Sequence, residues 1–169
     1  STAHDLLDAA NDPDTRAIVV DGEIHMAEWV ELHVPLVISE GSLLSMDWVP
    51  GEDSEAWLDL FGPASVLNYG RLEGGLGMTG QDGRALVVNY GELDVRAYLA
   101  QDGGVIVNHG AMASNFLTQI LPGSALYNYS RLEVMTGDLN LCGGTLRNTG
   151  EIHANGRLLE ISSSGRMLN

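Results

Sequence analysis

The sequence predicts an all-β fold: a single-stranded right-handed parallel β-helix with about 20 residues per coil and a short helix capping its N-terminal end. Three observations predict it. An Asn returns five times with a small residue two places later, as Asn68/Gly70, Asn89/Gly91, Asn108/Gly110, Asn128/Ser130 and Asn148/Gly150, at intervals of 21, 19, 20 and 20 residues. Apolar residues flank each Asn with period two: Val66, Val87, Ile106, Leu126 and Leu146 stand two places before it, and Leu72, Leu93, Met112, Leu132 and Ile152 four places after. Fifteen places after the Asn come Gly83, Gly104, Gly123 and Gly143, with Ser163 in the last copy. Period-two alternation marks strands, and Gly-rich breaks mark turns. A unit of this length is too short for two packed helices but suits one coil of two or three short strands. The strict six-residue beat that left-handed β-helices need is missing.

The elements follow in order. Residues 1–63 are expected to form a capping helix and irregular first coils, and residues 64–169 the regular repeats, continuous with them as one domain. Thr2 caps a helix with Asp5 near its positive end, Leu6, Leu7, Ala9 and Ala10 give it an apolar face, and Asn11-Asp-Pro-Asp14 stops it. Such a helix covers the open end of the core, where strand edges are otherwise unpaired. The runs from Ala17 to Val20 and from Leu36 to Ile38 are the first strands. Residues 47–63 read as a coil with an inserted loop that holds Trp48 and the acidic stretch from Gly51 to Glu55, while the alternation from Trp57 to Phe61 is a strand. Gly74-Gly-Leu-Gly77, Gln101-Asp-Gly-Gly104 and Cys142-Gly-Gly144 are turns. The whole makes about seven coils. Asn169 lies 21 residues after Asn148 with Met167 two places before it, so the final residues begin a sixth copy of the motif. The expectation is an uncapped C-terminal edge through which the chain self-associates.

Stacked coils turn each repeat position into a column. Asn68, Asn89, Asn108, Asn128 and Asn148 then form a structural ladder, amide to amide, as Asn side chains do in cross-β stacks. Asn also tolerates the left-handed backbone that a sharp corner needs, and the Gly two places later keeps the corner narrow. Three columns point outward: Tyr69, Tyr90, His109, Tyr129 and Thr149; Arg71, Glu92, Ala111, Arg131 and Glu151; and Glu73, Asp94, Ala113, Glu133 and His153. An aromatic row beside carboxylates and guanidiniums suits a saccharide, its rings meeting sugar faces and its charges meeting hydroxyls. The candidate binding set is Tyr69, Tyr90, His109, Tyr129, Glu92 and Asp94. The competing reading is ladder stabilisation, with Tyr on Tyr and Arg71 over Glu92 as favourable cross-strand pairs.

Composition narrows the partners. The net charge of −15 argues against nucleic acid and anionic membrane. All eight basic residues are Arg. No apolar run is long enough to span a bilayer. The five His residues show no metal spacing, and His25 and His33 fall on separate segments. Cys142 excludes an intrachain disulfide. No nucleophile motif or phosphate loop is present, no cofactor is called for, and no residue is assigned a catalytic role. Glu92 and Asp94, two apart on a strand, have the spacing of a carboxylate pair, which is common by chance.

Thr145-Leu-Arg-Asn-Thr-Gly-Glu-Ile-His-Ala154 followed by Gly156-Arg-Leu-Leu159 resembles the repeats of filamentous-haemagglutinin-type adhesins. The resemblance covers residues 64–169 and implies a right-handed β-helix. The N-terminal helix followed by two short strands resembles the start of pectate-lyase-like proteins, whose calcium-binding acidic groove has no matching set of residues here. The functional expectation is a non-enzymatic structural or adhesive module of a secreted or cell-surface protein, with a polysaccharide or host surface glycan as partner. The alternatives are a carbohydrate-binding β-helix, for example of a phage appendage, and a polysaccharide lyase or epimerase relative.

Overall fold

The computed structural model describes residues 2–47, 56–78, 84–101, 103–114, 117–135, 139–155, 159–161 and 165–169. It is a parallel β-solenoid of about six turns, about 20 residues each, preceded by the helix Ala3–Asn11. Three columns of strands run along the axis. The first holds eight strands, from Ile18–Val20 and Leu36–Ile38 through Ser65–Asn68, Leu86–Asn89, Val105–Asn108, Ala125–Asn128 and Thr145–Asn148 to Arg166–Leu168. The second begins at Glu23–Met26 and ends at Glu151–Ala154; the third begins at Val30–Leu32 and ends at Leu159–Ile161. Every pairing within the columns is parallel. The insertion after Met46 lengthens a coil without adding one: Ile38 still pairs directly with Asn68. Trp48, the acidic stretch Gly51–Glu55, Gly83 and Ser163 lie outside the described residues.

The register follows from burial. Ile18, Leu36, Val66, Val87, Ile106, Leu126 and Leu146 line one inward row of the first column and are all buried. A slip of one residue would expose that row, so the apolar pattern locks each coil on the next. Met167 continues the row opposite Leu146 but is only partly buried, as is Ile152. The helix closes the other end with Leu6 buried against the core. Thr2 accepts from the Asp5 N–H while Asp5 accepts from the Thr2 N–H at 2.8 Å, a reciprocal cap. That backbone bond is the main cause holding the Asp5 carboxyl below its usual pKa.

The corner between the first and second columns carries the Asn ladder. Asn68 Nδ2 donates to Asn89 Oδ1 at 2.8 Å, Asn89 to Asn108 at 2.8 Å, Asn108 to Asn128 at 2.8 Å and Asn128 to Asn148 at 2.7 Å. The same amides donate to main-chain carbonyls of the next coil, at Glu92, Ala111, Arg131 and Glu151. No described non-glycine residue has positive φ, so these corners do not use a left-handed Asn, contrary to expectation. The amide turns inward and the backbone stays in ordinary conformation. Gly91 and Gly110 serve by close approach: a Cβ on either would collide with the carbonyl oxygen of the coil before. Ser130 takes one place in this column, and nothing in the structure explains why a Cβ is admitted there.

Gly74-Gly-Leu-Gly77 is not a turn. The strand Arg71–Met78 runs through it, bent at Gly74 with φ +117, and so joins the second column to the third. The strand Glu92–Gln101 pairs with it and spans the same two columns, with a register shift between Val95 and Leu99.

Asn108→Ala is expected to cost about 1–3 kcal/mol, because it strands Asn128 Oδ1 and the Arg131 carbonyl in the interior. Asn148→Ala, at the half-buried end of the ladder, is expected to cost less. Urea denaturation of both variants checks this; equal, negligible losses would show that the ladder carries no stability.

Candidate functional site

One residue beyond each of the first four Asn residues, the chain turns outward at Tyr69, Tyr90, His109 and Tyr129, and Thr149 follows the fifth. Coils about 4.8 Å apart bring equivalent rings to stacking distance. The centroids lie 5.3 Å apart for Tyr69 and Tyr90, 5.0 Å for Tyr90 and His109, and 4.9 Å for His109 and Tyr129, with interplanar angles of 8°, 9° and 9°. The rings therefore form one continuous stack along the solenoid axis. Tyr90 is half exposed, yet both its faces are covered by neighbours, and the same holds for His109. The expectation that flat ring faces meet sugar rings does not survive this geometry at those two positions. Ring edges, hydroxyls and the outer faces of Tyr69 and Tyr129 are what a ligand can reach.

The charged rows lie on the second column. Arg71 bonds the Glu73 carboxylate at 3.1 Å and lies 3.7 Å from Glu92 of the next coil. Glu73 is buried, and an ionised carboxylate tolerates that only with a partner. Arg131 pairs within its own strand with Glu133 at 3.1 Å. Between these two pairs both rows are interrupted, because Ala111 and Ala113 put methyl groups where neighbouring coils put charges. The gap is a depression of about 190 Å³, with Arg71, Glu92 and Asp94 on one side and Arg131 and Glu133 on the other. A wider, shallower one of about 420 Å³ shares Arg71 and Glu92 with it and reaches Tyr69, Gly41 and Ser42.

The structure thus brings Glu92 and Asp94 together at the depression and sets the four rings of the candidate binding set in one row beside it. Ala111 and Ala113 stand in the charged columns of the sequence; that they open a gap between the charges is visible only in the structure. Trp57 stands apart in the third column, its ring covering Gly75, while Leu58 and Leu60 on the same strand point into the core. His25 lies 3.3 Å from Asp47 and His33 stacks on Phe61, on separate columns. Among the described residues no group of His, Cys, Asp and Glu could hold a metal ion.

Arg71→Ala should lower stability by about 1–2 kcal/mol, since it takes a partner from a buried carboxylate, and Arg131→Ala by less than about 1 kcal/mol, since Glu133 keeps contact with water. Thermal melts rank the two; the reverse order would count against Glu73 as the demanding carboxylate.

Compared with known proteins, the chain matches no family model, no curated protein and no solved structure.

Proposed function

We propose that the protein is a non-enzymatic structural or adhesive solenoid module of a secreted or surface protein. The observation that carries this reading is the stack from Tyr69 to Tyr129. The side chains best suited to grip a ligand spend their faces on one another. Arg71 and Arg131 spend charge in the same way. Ladders of this kind stiffen the coil-to-coil contact and repeat one surface along the axis, which suits a spacer or an adhesive stalk. The resemblance of residues 64–169 to filamentous-haemagglutinin-type repeats supports the same role, and the extracellular location comes with it.

A second reading, carbohydrate binding, is favoured by one specific observation, the break in the charged rows at Ala111 and Ala113. Guanidiniums and carboxylates facing a gap of about 190 Å³ can bond the hydroxyls of one sugar unit, with the ring edges of the stack alongside.

Two experiments decide between them. Under the structural reading Tyr90→Ser removes two stacked contacts and Tyr69→Ser one, so the losses should be about 1–3 and about 0.5–1.5 kcal/mol. Melts in which neither variant moves would remove the main support for this reading. Screening against neutral and acidic polysaccharides should find no affinity tighter than about 1 mM. Tighter binding that is lost in Ala113→Arg, which fills the gap, and kept in Tyr90→Ser would establish the carbohydrate reading in its place.

A further inference from the structure

The outward face of the first column differs from that of the second. One row reads Val19, Val37, Leu67, Val88, Val107 and Tyr127, one residue per coil in register. A parallel row reads Ser65, Leu86, Val105 and Ala125. From Val19 to Tyr127 neither row contains a charge. All of these residues keep some exposure to solvent, most clearly Val19 at 55% and Leu86 at 37%. Equivalent positions in the second column carry Glu23, Leu43, Arg71, Glu92, Ala111 and Arg131, four of the six charged. Pairing along the coils does not explain the difference, because charged pairs supply it there. A flat, continuous apolar strip on so acidic a chain is the mark of a contact surface.

We infer that this face is the interface of a homodimer. Three features of the strip favour a second copy as the occupant. First, it is flat and uniform along the axis, so it is complementary to itself under a two-fold axis lying between the faces. Second, its charge pattern suits an antiparallel pair. Residues 131–169 hold four Arg against four Asp or Glu, so the net charge of −15 sits in residues 1–130. Beyond Tyr127 the first row continues with exposed Arg147 and Leu168 and the second ends in exposed Arg166, while exposed Asp12, Asp14 and Asp21 outnumber Arg16 near the other end. With the two-fold axis along the strands, the neutral end of each copy, with its exposed Arg147 and Arg166, meets the acidic end of the other, so the two acidic ends are kept apart. Third, the size suits a weak pair. The two apolar rows and the aromatic row beside them, at about 4.8 Å along the axis and about 6.6 Å across, give a footprint on the order of 450 Å² per copy; a total of about 900 Å² falls in the range of weak, transient contacts. The dimer is therefore weak and depends on concentration.

Sedimentation equilibrium of the full chain between about 1 and 500 µM tests this. The expected result is a monomer–dimer equilibrium that tightens as salt is added, because salt screens the repulsion between two acidic chains while leaving apolar contact intact. Val107→Lys should weaken dimerisation by at least about tenfold. Val107→Thr keeps the shape and strand preference and should weaken it less, which preserves the test if the Lys variant unfolds by circular dichroism. His25→Lys adds the same charge on the second column and should leave the equilibrium unchanged. A monomer throughout the range at all salt concentrations would overturn the inference. So would association that persists in both Val107 variants and disappears in Leu168→Lys, which would place the contact at the free edge of the Arg166–Leu168 strand.

Discussion

From Asn68 to Asn148 each coil turns its first corner at the same height because an Asn there is bonded to its neighbours along the solenoid axis. The constraint is demanding. An amide in the interior must find partners for its donors and its acceptor, and a neighbour of the same kind one coil away supplies them at 2.7–2.8 Å. All the amides point the same way, so each bond polarises the next. The first acceptor, Asn68 Oδ1, has no donor among the described residues, because the coil before puts Ile38 in the column. The ladder thus begins abruptly, where an apolar corner gives way to a polar one. Once the Asn is fixed, the glycine corner two places later is pressed against the preceding carbonyl, and the apolar rows on either side have no freedom of register.

The outer surface inherits this order. A residue next to the ladder repeats at the same angle and height in each coil, so whatever is placed there becomes a stack. Tyr69, Tyr90, His109 and Tyr129 stack because they are held in register at a spacing slightly above the thickness of a ring. The stack is a consequence of the corner and needs no ligand to form. An interruption is correspondingly informative, since it is the one kind of feature that stacking does not produce by itself. Ala111 and Ala113 interrupt both charged rows in the same coil, and the depression opens there.

The repeat period, the inward rows and the helical cap were legible in the sequence because each rests on local chemistry: a capping box, an alternation, an Asn at fixed intervals. The earliest coils were less so. Val20 and Ile38 occupy the Asn column without being Asn, and the insertion after Met46 stretches one period to 30 residues, from Ile38 to Asn68, so the motif disappears although the register does not. The bend at Gly74 was read as a turn because its glycines signal chain reversal, whereas the strand only changes direction and continues. The candidate site was legible as columns but not as surfaces. A sequence shows which residues stack; it does not show whether their rings lie face to face or face outward, and that orientation decides what a ligand can touch.

The apolar strip on the first column was hidden for a different reason. Leu86-Val-Val88 and Val105-Ile-Val107 are continuous apolar runs, and Val87 and Ile106 at their centres account for the core. The flanking residues then pass as ordinary strand formers, because β-branched side chains favour strands whichever way they point. Only their alignment over six coils turns a propensity into a surface. In a solenoid this matters more than in a globular domain, since each coil contacts only its neighbours and stability is close to a sum over coils. A change on one outer face costs little on another. The polar corner can keep the coils in step while the second column carries a charged gap and the first an uncharged contact face, so the two surfaces can be altered one at a time without loss of the fold beneath them.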